Sequence, residues 1–185
     1  MIGLASISEP LVLILFTEKW LPSVPYLQLL CLVGMLLPLQ AFNLSVIKSN
    51  GRSDLYLILE VLKKILIVVN IAITWRWGII AIIYGQIVLS VLSYILNSYF
   101  TRYLINYPIE EQLKDILPAL ILALIMGFTL YYIPVAILPT NVLLVLVLKI
   151  IIGAMIYILL SYLFRVPLFF ELAHFIKLRF KKNSP

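Results

Sequence analysis

The sequence predicts an all-α, polytopic membrane protein with about five transmembrane helices and a partial helix before them. Hydrophobic residues make up 64% of its 185 residues. Charged residues make up only 12%, about half the share found in a soluble domain. Long apolar runs recur without the two-residue alternation of a membrane barrel strand. Together these three observations exclude a free soluble protein, and the single cysteine excludes a disulfide-stabilised secreted domain.

Five apolar segments are long enough to cross the hydrocarbon core, which takes about 17–25 residues. Charged or helix-breaking residues separate them, and the predicted spans lie near 25–47, 54–75, 78–99, 116–138 and 141–164. Residues 1–16 are also apolar, but Glu9 and Pro10 interrupt them and no basic segment precedes them. We therefore expect residues 1–16 to be a partial helix, and the chain to be the carboxyl-terminal part of a larger transporter.

The basic residues predict the orientation. If residues 17–24 face outside, only Lys19 and Arg76 lie on the outer side. The other side then receives nine basic residues: Lys48, Arg52, Arg102, Lys114, Arg165, Lys177, Arg179, Lys181 and Lys182. Because Lys and Arg accumulate on the cytoplasmic side of membrane proteins, the net charge of +6 indicates topology and not nucleic-acid binding. We expect a membrane block over 1–164 and a basic, amphipathic, cytoplasmic tail over 165–185 that contacts membrane lipids.

The sequence offers little catalytic chemistry. Its one histidine, His174, lies in the basic tail, and Cys31 lies inside a predicted span. No residues have metal-ligand spacing and no glycine-rich phosphate loop is present, so we expect no enzyme activity, metal or cofactor. A membrane acyl- or glycosyltransferase would need paired carboxylates, and the pair Glu110 and Glu111 lies in a short, solvated inner loop.

Charged residues inside the second predicted span are the first candidates for a binding site. Lys63 and Lys64 follow Glu60 by three and four residues, so all three lie on one side of a helix. Such groups are costly in hydrocarbon and usually face a cavity or a partner. Two interpretations remain open: a charge cluster that lines a cavity, or a self-neutralised pair near the inner interface with Lys64 extending towards water.

Three further residues inside predicted spans are candidates. Lys149 has no acid within one helical turn, so it either points into the bundle or extends outwards. Gln40 and Asn43 are three residues apart and share one side of the first span, just after the mid-span Pro38. Their amides can hydrogen-bond a sugar or a neighbouring helix.

Three short motifs run through the first third of the chain. The first is a turn at the outer face, with Phe16, Lys19 and Trp20. The second is an inner loop, with Asn50, Gly51, Arg52 and Asp54, and the third is a helix with Glu60, Lys63 and Lys64. This combination resembles the carboxyl-terminal lobe of Wzx-type polysaccharide flippases, the PST branch of the multidrug/oligosaccharidyl-lipid/polysaccharide exporter superfamily. The similar stretches are 13–64 and 110–127, with Thr17 at a position where that family usually has glycine.

The resemblance implies a MATE-like fold of two helical lobes, of which this chain would hold the later part. It implies translocation of undecaprenyl-pyrophosphate-linked oligosaccharide units across the bacterial inner membrane, for O-antigen, capsule or lipopolysaccharide. Lys63 and Lys64 would then contact the pyrophosphate, and Gln40 and Asn43 the sugars. The expected partners are the lipid-linked oligosaccharide, an amino-terminal lobe and a polysaccharide polymerase.

Two other functions remain open at this point. One is a non-transporting membrane subunit that scaffolds a polysaccharide assembly complex. The other is a drug/cation antiporter fragment of the same superfamily, whose cavity would favour acids, whereas Glu60 is the only deeply placed acid here.

Overall fold

The computed structural model describes residues 1–132 and 141–164, which form α-helices joined by short turns and contain no strand. The predicted all-α class is therefore confirmed. Within these ranges the helices are α1 (Ile2–Ser6), α2 (Ser8–Phe16), α3 (Val24–Ser49), α4 (Ser53–Thr74), α5 (Ile79–Ile105), α6 (Ile109–Tyr132) and α7 (Val142–Leu163). Two 3₁₀ helices, Glu18–Ser23 and Trp75–Trp77, precede α3 and α5.

In the described ranges, four helical segments are long and apolar enough to cross a membrane. They are Glu18–Ser49, Ile79–Ile105, Ile109–Tyr132 and Val142–Leu163. The predicted span 54–75 forms α4, which has 22 residues, but its charged residues keep it out of this group. The count of about five predicted spans thus corresponds to these four helical segments and the more highly charged helix α4.

Several helices begin or end away from the predicted limits. The predicted partial helix 1–16 is two short helices, α1 and α2, separated at Ile7. Helix α5 continues to Ile105 and α6 begins at Ile109, so the predicted 100–115 loop is only a turn at 106–108. This difference arises because helical backbone bonds continue past the apolar segment into the interface. The end of the predicted span 116–138 and the tail 165–185 lie outside the described residues.

Backbone chemistry explains where the helices stop. Gly51 ends the α3–α4 turn with a φ of +73°, and Gly78 begins α5 with a φ of +87°. Asn106 ends α5 in the left-handed conformation, which asparagine tolerates better than most residues. Pro108 follows and cannot continue a helix from the preceding turn. At the start of α7, the Asn141 side chain accepts a hydrogen bond from the backbone N–H of Leu143 at 3.0 Å.

The helices pack as a bundle in which α3 and α5 form the main contact. Helix α4 packs on α5, α1 packs on α6 and α3, and α7 packs on α6 and α2. Large apolar side chains remain exposed along every long helix, as expected where lipid surrounds the protein. The buried positions, in contrast, include many polar side chains, particularly on α3 and α5. Polar side chains that could contact a ligand therefore lie between the helices, and large apolar side chains lie on the outside.

Candidate functional site

A cavity of about 350 Å³ lies between α3, α4 and α5, within the range of small-molecule sites. It brings together four of the six candidate residues that the sequence singles out. Its polar lining consists of Gln40, Glu60, Lys63, Lys64, Gln86, Ser90 and Ser93. The lysines lie about ten residues from the amino-terminal end of α4, which corresponds to roughly 15 Å along the helix. The cavity is therefore at mid-depth in the bundle.

Glu60 and Lys63 form the ion pair that their spacing predicts. The Lys63 Nζ atom lies 3.2 Å from Glu60 Oε1, and 14% of the Lys63 side chain and 30% of the Glu60 side chain remain exposed. Lys64 is exposed at the edge of the cavity and makes no ion pair with any described residue. Two basic side chains and one acidic side chain thus line the cavity. The cavity consequently carries an excess of one positive charge.

Gln40 connects the cavity to α5. Its amide Nε2 donates to the Ser90 hydroxyl at 3.0 Å and to the Ser90 carbonyl at 3.1 Å. Gln40 therefore bonds a neighbouring helix, which is one of the two interpretations of its amide. Its side chain also lines the cavity. The Ser90 and Gln40 side chains form the polar wall opposite the lysines of α4.

Asn43 lies away from the cavity. It is fully buried, and its Nδ2 donates to Gln112 Oε1 at 3.0 Å, which links α3 to α6. Gln112 in turn donates to the Ser98 hydroxyl at 2.9 Å and to the Tyr107 carbonyl at 3.1 Å. Asn43 therefore belongs to a buried polar cluster near the turn between α5 and α6, and the structure separates it from Gln40.

Helix α5 carries polar side chains that are not among the residues predicted for the site. Six of them are buried along one side of the helix: Ser90, Ser93, Tyr94, Asn97, Ser98 and Thr101. Their spacing of three, four, seven, eight and eleven residues from Ser90 is the helical period, and it was visible in the sequence. The predicted spans place Gln112 in a loop. It is buried because α6 begins earlier than predicted and includes this residue.

Some buried polar atoms in this cluster have no partner among the described residues. They are the Asn43 Oδ1 atom, the Tyr94 hydroxyl and both amide atoms of Asn97. Nearby, Tyr107, in the turn before α6, donates a hydrogen bond to Asp115 on α6. Burial, this hydrogen bond and the negative charge of Asp115 raise the pKa of Tyr107 to about 12. The phenol therefore stays protonated at physiological pH and keeps donating.

Lys149 points into the protein and is not directed outwards. Only 7% of the residue is exposed, in the middle of α7, which packs on α6 and α2. It forms no ion pair or hydrogen bond with the residues in 1–132 and 141–164. Lys149 does not line the cavity of α3, α4 and α5, so the structure does not join it to Lys63 and Lys64.

A second cavity, of about 680 Å³, lies between α1, α3, α5 and α6. Its lining is mainly apolar and contains no charged side chain. Two of its polar side chains bond within the protein: Ser6 donates to the Gly127 carbonyl, and Gln28 donates to the Ser8 hydroxyl. Of these two cavities, the smaller one is the one that carries basic side chains. Among the described residues, no group of three His, Cys, Asp or Glu side chains is arranged to hold a metal ion.

These features define a polytopic helical membrane protein with a positively charged cavity inside the bundle. Comparison with known proteins places it more closely. The chain is 27% identical to the teichuronic acid biosynthesis protein TuaB of Bacillus subtilis (strain 168) over 128 residues, which is 69% of this chain and 26% of TuaB. It is 30% identical to the lipopolysaccharide biosynthesis protein WzxC of Escherichia coli (strain K12) over 141 residues, which is 70% of this chain and 28% of WzxC.

Both relatives are homologues of this chain, and the predicted resemblance to Wzx-type polysaccharide flippases is confirmed. The chain spans about a quarter of the length of the curated relatives that it matches. No protein-family model matches the chain. No solved structure matches it either.

Proposed function

We propose that this chain takes part in the biosynthesis of a bacterial surface polysaccharide, as part of a flippase. The flippase would translocate undecaprenyl-pyrophosphate-linked oligosaccharide units across the inner membrane for O-antigen, capsule or lipopolysaccharide. The observation that carries this proposal is the mid-depth cavity with an excess positive charge. The homology to TuaB and WzxC supports the polysaccharide pathway. The proposed step moves a lipid and breaks no bond, so we propose a transporter and not an enzyme.

The charge of the cavity suits the head group of such a lipid. An anion inside a bilayer is costly unless a cation or hydrogen-bond donors compensate it. Lys64 is free of acid partners among the described residues, and Lys63 lies beside it. Two ammonium groups at mid-depth therefore provide a place where a pyrophosphate is stabilised between the two leaflets. We propose Lys63 and Lys64 as the contacts to the pyrophosphate.

The opposite wall of the cavity suits the sugar next to the pyrophosphate. Gln40 and Gln86 present amides that donate and accept hydrogen bonds, which matches the hydroxyls of a sugar. Gln40 already bonds Ser90, so its free capacity lies mainly at the amide oxygen. We propose Gln40 as a sugar contact. For Asn43, whose amide bonds Gln112 outside the cavity, we propose only a role in holding α3 against α6.

The proposed location in the cell rests on the membrane orientation that the basic residues predict. We propose a multi-pass protein of the bacterial inner membrane whose inner turns are at 50–52 and 106–108, with a cytoplasmic carboxyl terminus. In this orientation α4 rises from the cytoplasmic side, and its lysines lie about halfway across the membrane. The lipid-linked oligosaccharide, an amino-terminal lobe and a polysaccharide polymerase remain the proposed partners.

Replacing both lysines tests this proposal. Lys63→Gln together with Lys64→Gln, introduced in the protein within its own host, removes the cavity's cations while keeping side-chain length similar. Loss of charge-assisted contacts worth about 1.5–3 kcal/mol each is expected to reduce surface polysaccharide at least about tenfold at equal membrane expression. The measurement is the amount of polysaccharide on the cell surface, with the lipid-linked precursor accumulating on the inner side.

Lys48→Gln is the matched control for this experiment. Lys48 lies near the end of α3, outside the cavity, with its ammonium over the Tyr56 ring at 3.8 Å. Its replacement should leave surface polysaccharide unchanged. Normal polysaccharide in the double variant would contradict the proposed head-group contact and favour a structural ion pair. A changed drug resistance with normal polysaccharide would favour the drug/cation antiporter instead.

A further inference from the structure

Glu60 occupies the position that an anionic ligand would need in order to reach Lys63. Its Oε1 atom lies 3.2 Å from Lys63 Nζ, which is hydrogen-bond distance. Both side chains line the cavity, so the ion pair lies on the wall of the proposed site and not on the outer surface. A ligand phosphate that binds Lys63 meets the Glu60 carboxylate at the same ammonium, and it either displaces the carboxylate or shares the three donors of the ammonium with it.

The neighbouring helices offer Glu60 no other charged group. Around the cavity, α3 presents Gln40, and α5 presents Gln86, Ser90 and Ser93, all of which are neutral. The charges that face Glu60 are those of Lys63 and Lys64 on α4 itself. Glu60 therefore attracts Lys63 and repels any anion that enters the cavity. The repulsion increases with the negative charge of the ligand.

We propose that Glu60 is a built-in competitor that limits how tightly this cavity holds a multiply charged phosphate, and so permits its release. This inference rests on the proposed function and adds a role for Glu60 to it. When the cavity is empty, Glu60 neutralises Lys63 and prevents an uncompensated second cation at mid-depth. When a pyrophosphate enters, it contacts Lys64 first and then exchanges with Glu60 at Lys63. When the pyrophosphate leaves, Glu60 restores the pair.

A transport site needs this balance. Binding must be favourable enough for the charged group to enter, but weak enough for it to leave on the other side. Two free lysines in a low-dielectric cavity would hold a pyrophosphate tightly and slow its release. The Glu60 carboxylate lies three residues from Lys63 on the same helix. It supplies the repulsion that weakens pyrophosphate binding, and it does so without any large movement.

The test compares binding with transport in the Glu60→Gln variant. This substitution keeps the shape of the side chain and removes its charge. Binding is measured by titrating the purified chain in lipid nanodiscs with inorganic pyrophosphate, and separately with inorganic phosphate. We expect Glu60→Gln to bind pyrophosphate about tenfold more tightly, with a smaller gain for phosphate. In the host, the same variant should export less surface polysaccharide because release becomes slow.

Two further variants make the result specific. Glu110→Gln is the matched control, because Glu110 lies in the first turn of α6 and does not line the cavity. It should leave both affinities unchanged. In the Lys63→Gln background, most of the gain in pyrophosphate affinity from Glu60→Gln should disappear. The reason is that this background lacks the Lys63 ammonium, which Glu60→Gln would otherwise make available. Circular dichroism of each variant verifies that its helices are intact.

The outcomes separate this inference from the proposed function. If the lysine variants lose pyrophosphate binding while Glu60→Gln leaves the affinity unchanged or lowers it, the competitor role is wrong and the head-group contact stands. If Lys63→Gln and Lys64→Gln together leave pyrophosphate binding unchanged, the proposed head-group contact itself fails. Tighter binding combined with undiminished export would overturn the role of Glu60 in release.

Discussion

At the scale of single residues, Thr17 has the most unusual backbone in the described part of the chain. It lies between α2 and the 3₁₀ helix Glu18–Ser23, with φ and ψ of 89° and 166°. This region is almost exclusive to glycine, and a residue with a Cβ pays about 1–3 kcal/mol to adopt it. Glycine, which has no Cβ, adopts this conformation without that steric cost.

Thr17→Gly is therefore expected to stabilise the protein. The Thr17 side chain is exposed and makes no hydrogen bond with the described residues, so glycine removes strain and no contact. The larger entropy of glycine in the unfolded chain offsets up to about 1 kcal/mol of the relieved strain. The free energy of unfolding is therefore expected to rise by up to about 2 kcal/mol. Thermal unfolding in detergent measures it as a higher midpoint. Asn106→Gly is the control, since asparagine tolerates its φ of 54° and little gain is expected. An unchanged or lower midpoint for Thr17→Gly would contradict the strain.

At the scale of helices, α4 and α5 approach closely because of one glycine. A Cβ at Gly85 would overlap the side-chain oxygen of Asn70. The absence of this Cβ lets the Asn70 side chain reach α5, where its Nδ2 donates to the Ile82 carbonyl at 3.2 Å. Small residues of this kind allow helices in membranes to pack closely. The contact holds α4, and hence its lysines, against α5.

A double-mutant cycle on Asn70 and Gly85 tests this contact. Gly85→Ala in the native background is expected to destabilise the protein because the added methyl group displaces Asn70 from Ile82. In the Asn70→Ala background the same change should be neutral or stabilising, since alanine has the higher helix propensity. The coupling is expected to be about 0.6–1.7 kcal/mol, as for other hydrogen bonds between membrane helices. Unfolding free energies measured in bicelles give the value. Additive effects of the two substitutions would show that the residues do not interact.

At the scale of the whole molecule, the turns on either side of α4 separate the bundle into two ends. The turn at 50–52 and the turn at 75–78 lie at opposite ends of α4. If the predicted orientation holds, the first is cytoplasmic and the second is external. The positive cavity then opens midway between compartments, as a transport site requires.

Labelling of single cysteines checks this orientation. Arg76→Cys should react with a membrane-impermeant thiol reagent added to intact cells, and Asn50→Cys should react only after permeabilisation. Both positions are exposed in the structure, so access depends on the side of the membrane. The native chain serves as the control, because its one cysteine, Cys31, is buried and should remain unlabelled. The reverse labelling pattern would overturn the predicted topology and the direction proposed for translocation.

Much of this molecule could be predicted from its local sequence. The helical class followed from the hydropathy of each long segment. The ion pair of Glu60 with Lys63 followed from their spacing of three residues on one helix. The limits of α5 and α6 were less accurate because interfacial residues such as Arg102 and Gln112 remain helical although they are polar. Hydropathy marks where the hydrocarbon ends, and the helix does not have to end there.

The sequence by itself determined that the chain is a bundle of membrane helices and that Glu60, Lys63 and Lys64 share one side of a helix. Only the tertiary structure decided what each helix faces. It placed Gln40 in the charged cavity against Ser90 and turned Asn43 towards Gln112, 69 residues further along the chain. The physical reason is that α3 is apolar over most of its surface and has only a few polar side chains, so hydropathy alone does not reveal which helix each of them faces. Which helix they face depends on the close packing of neighbouring helices and on the hydrogen bonds between them.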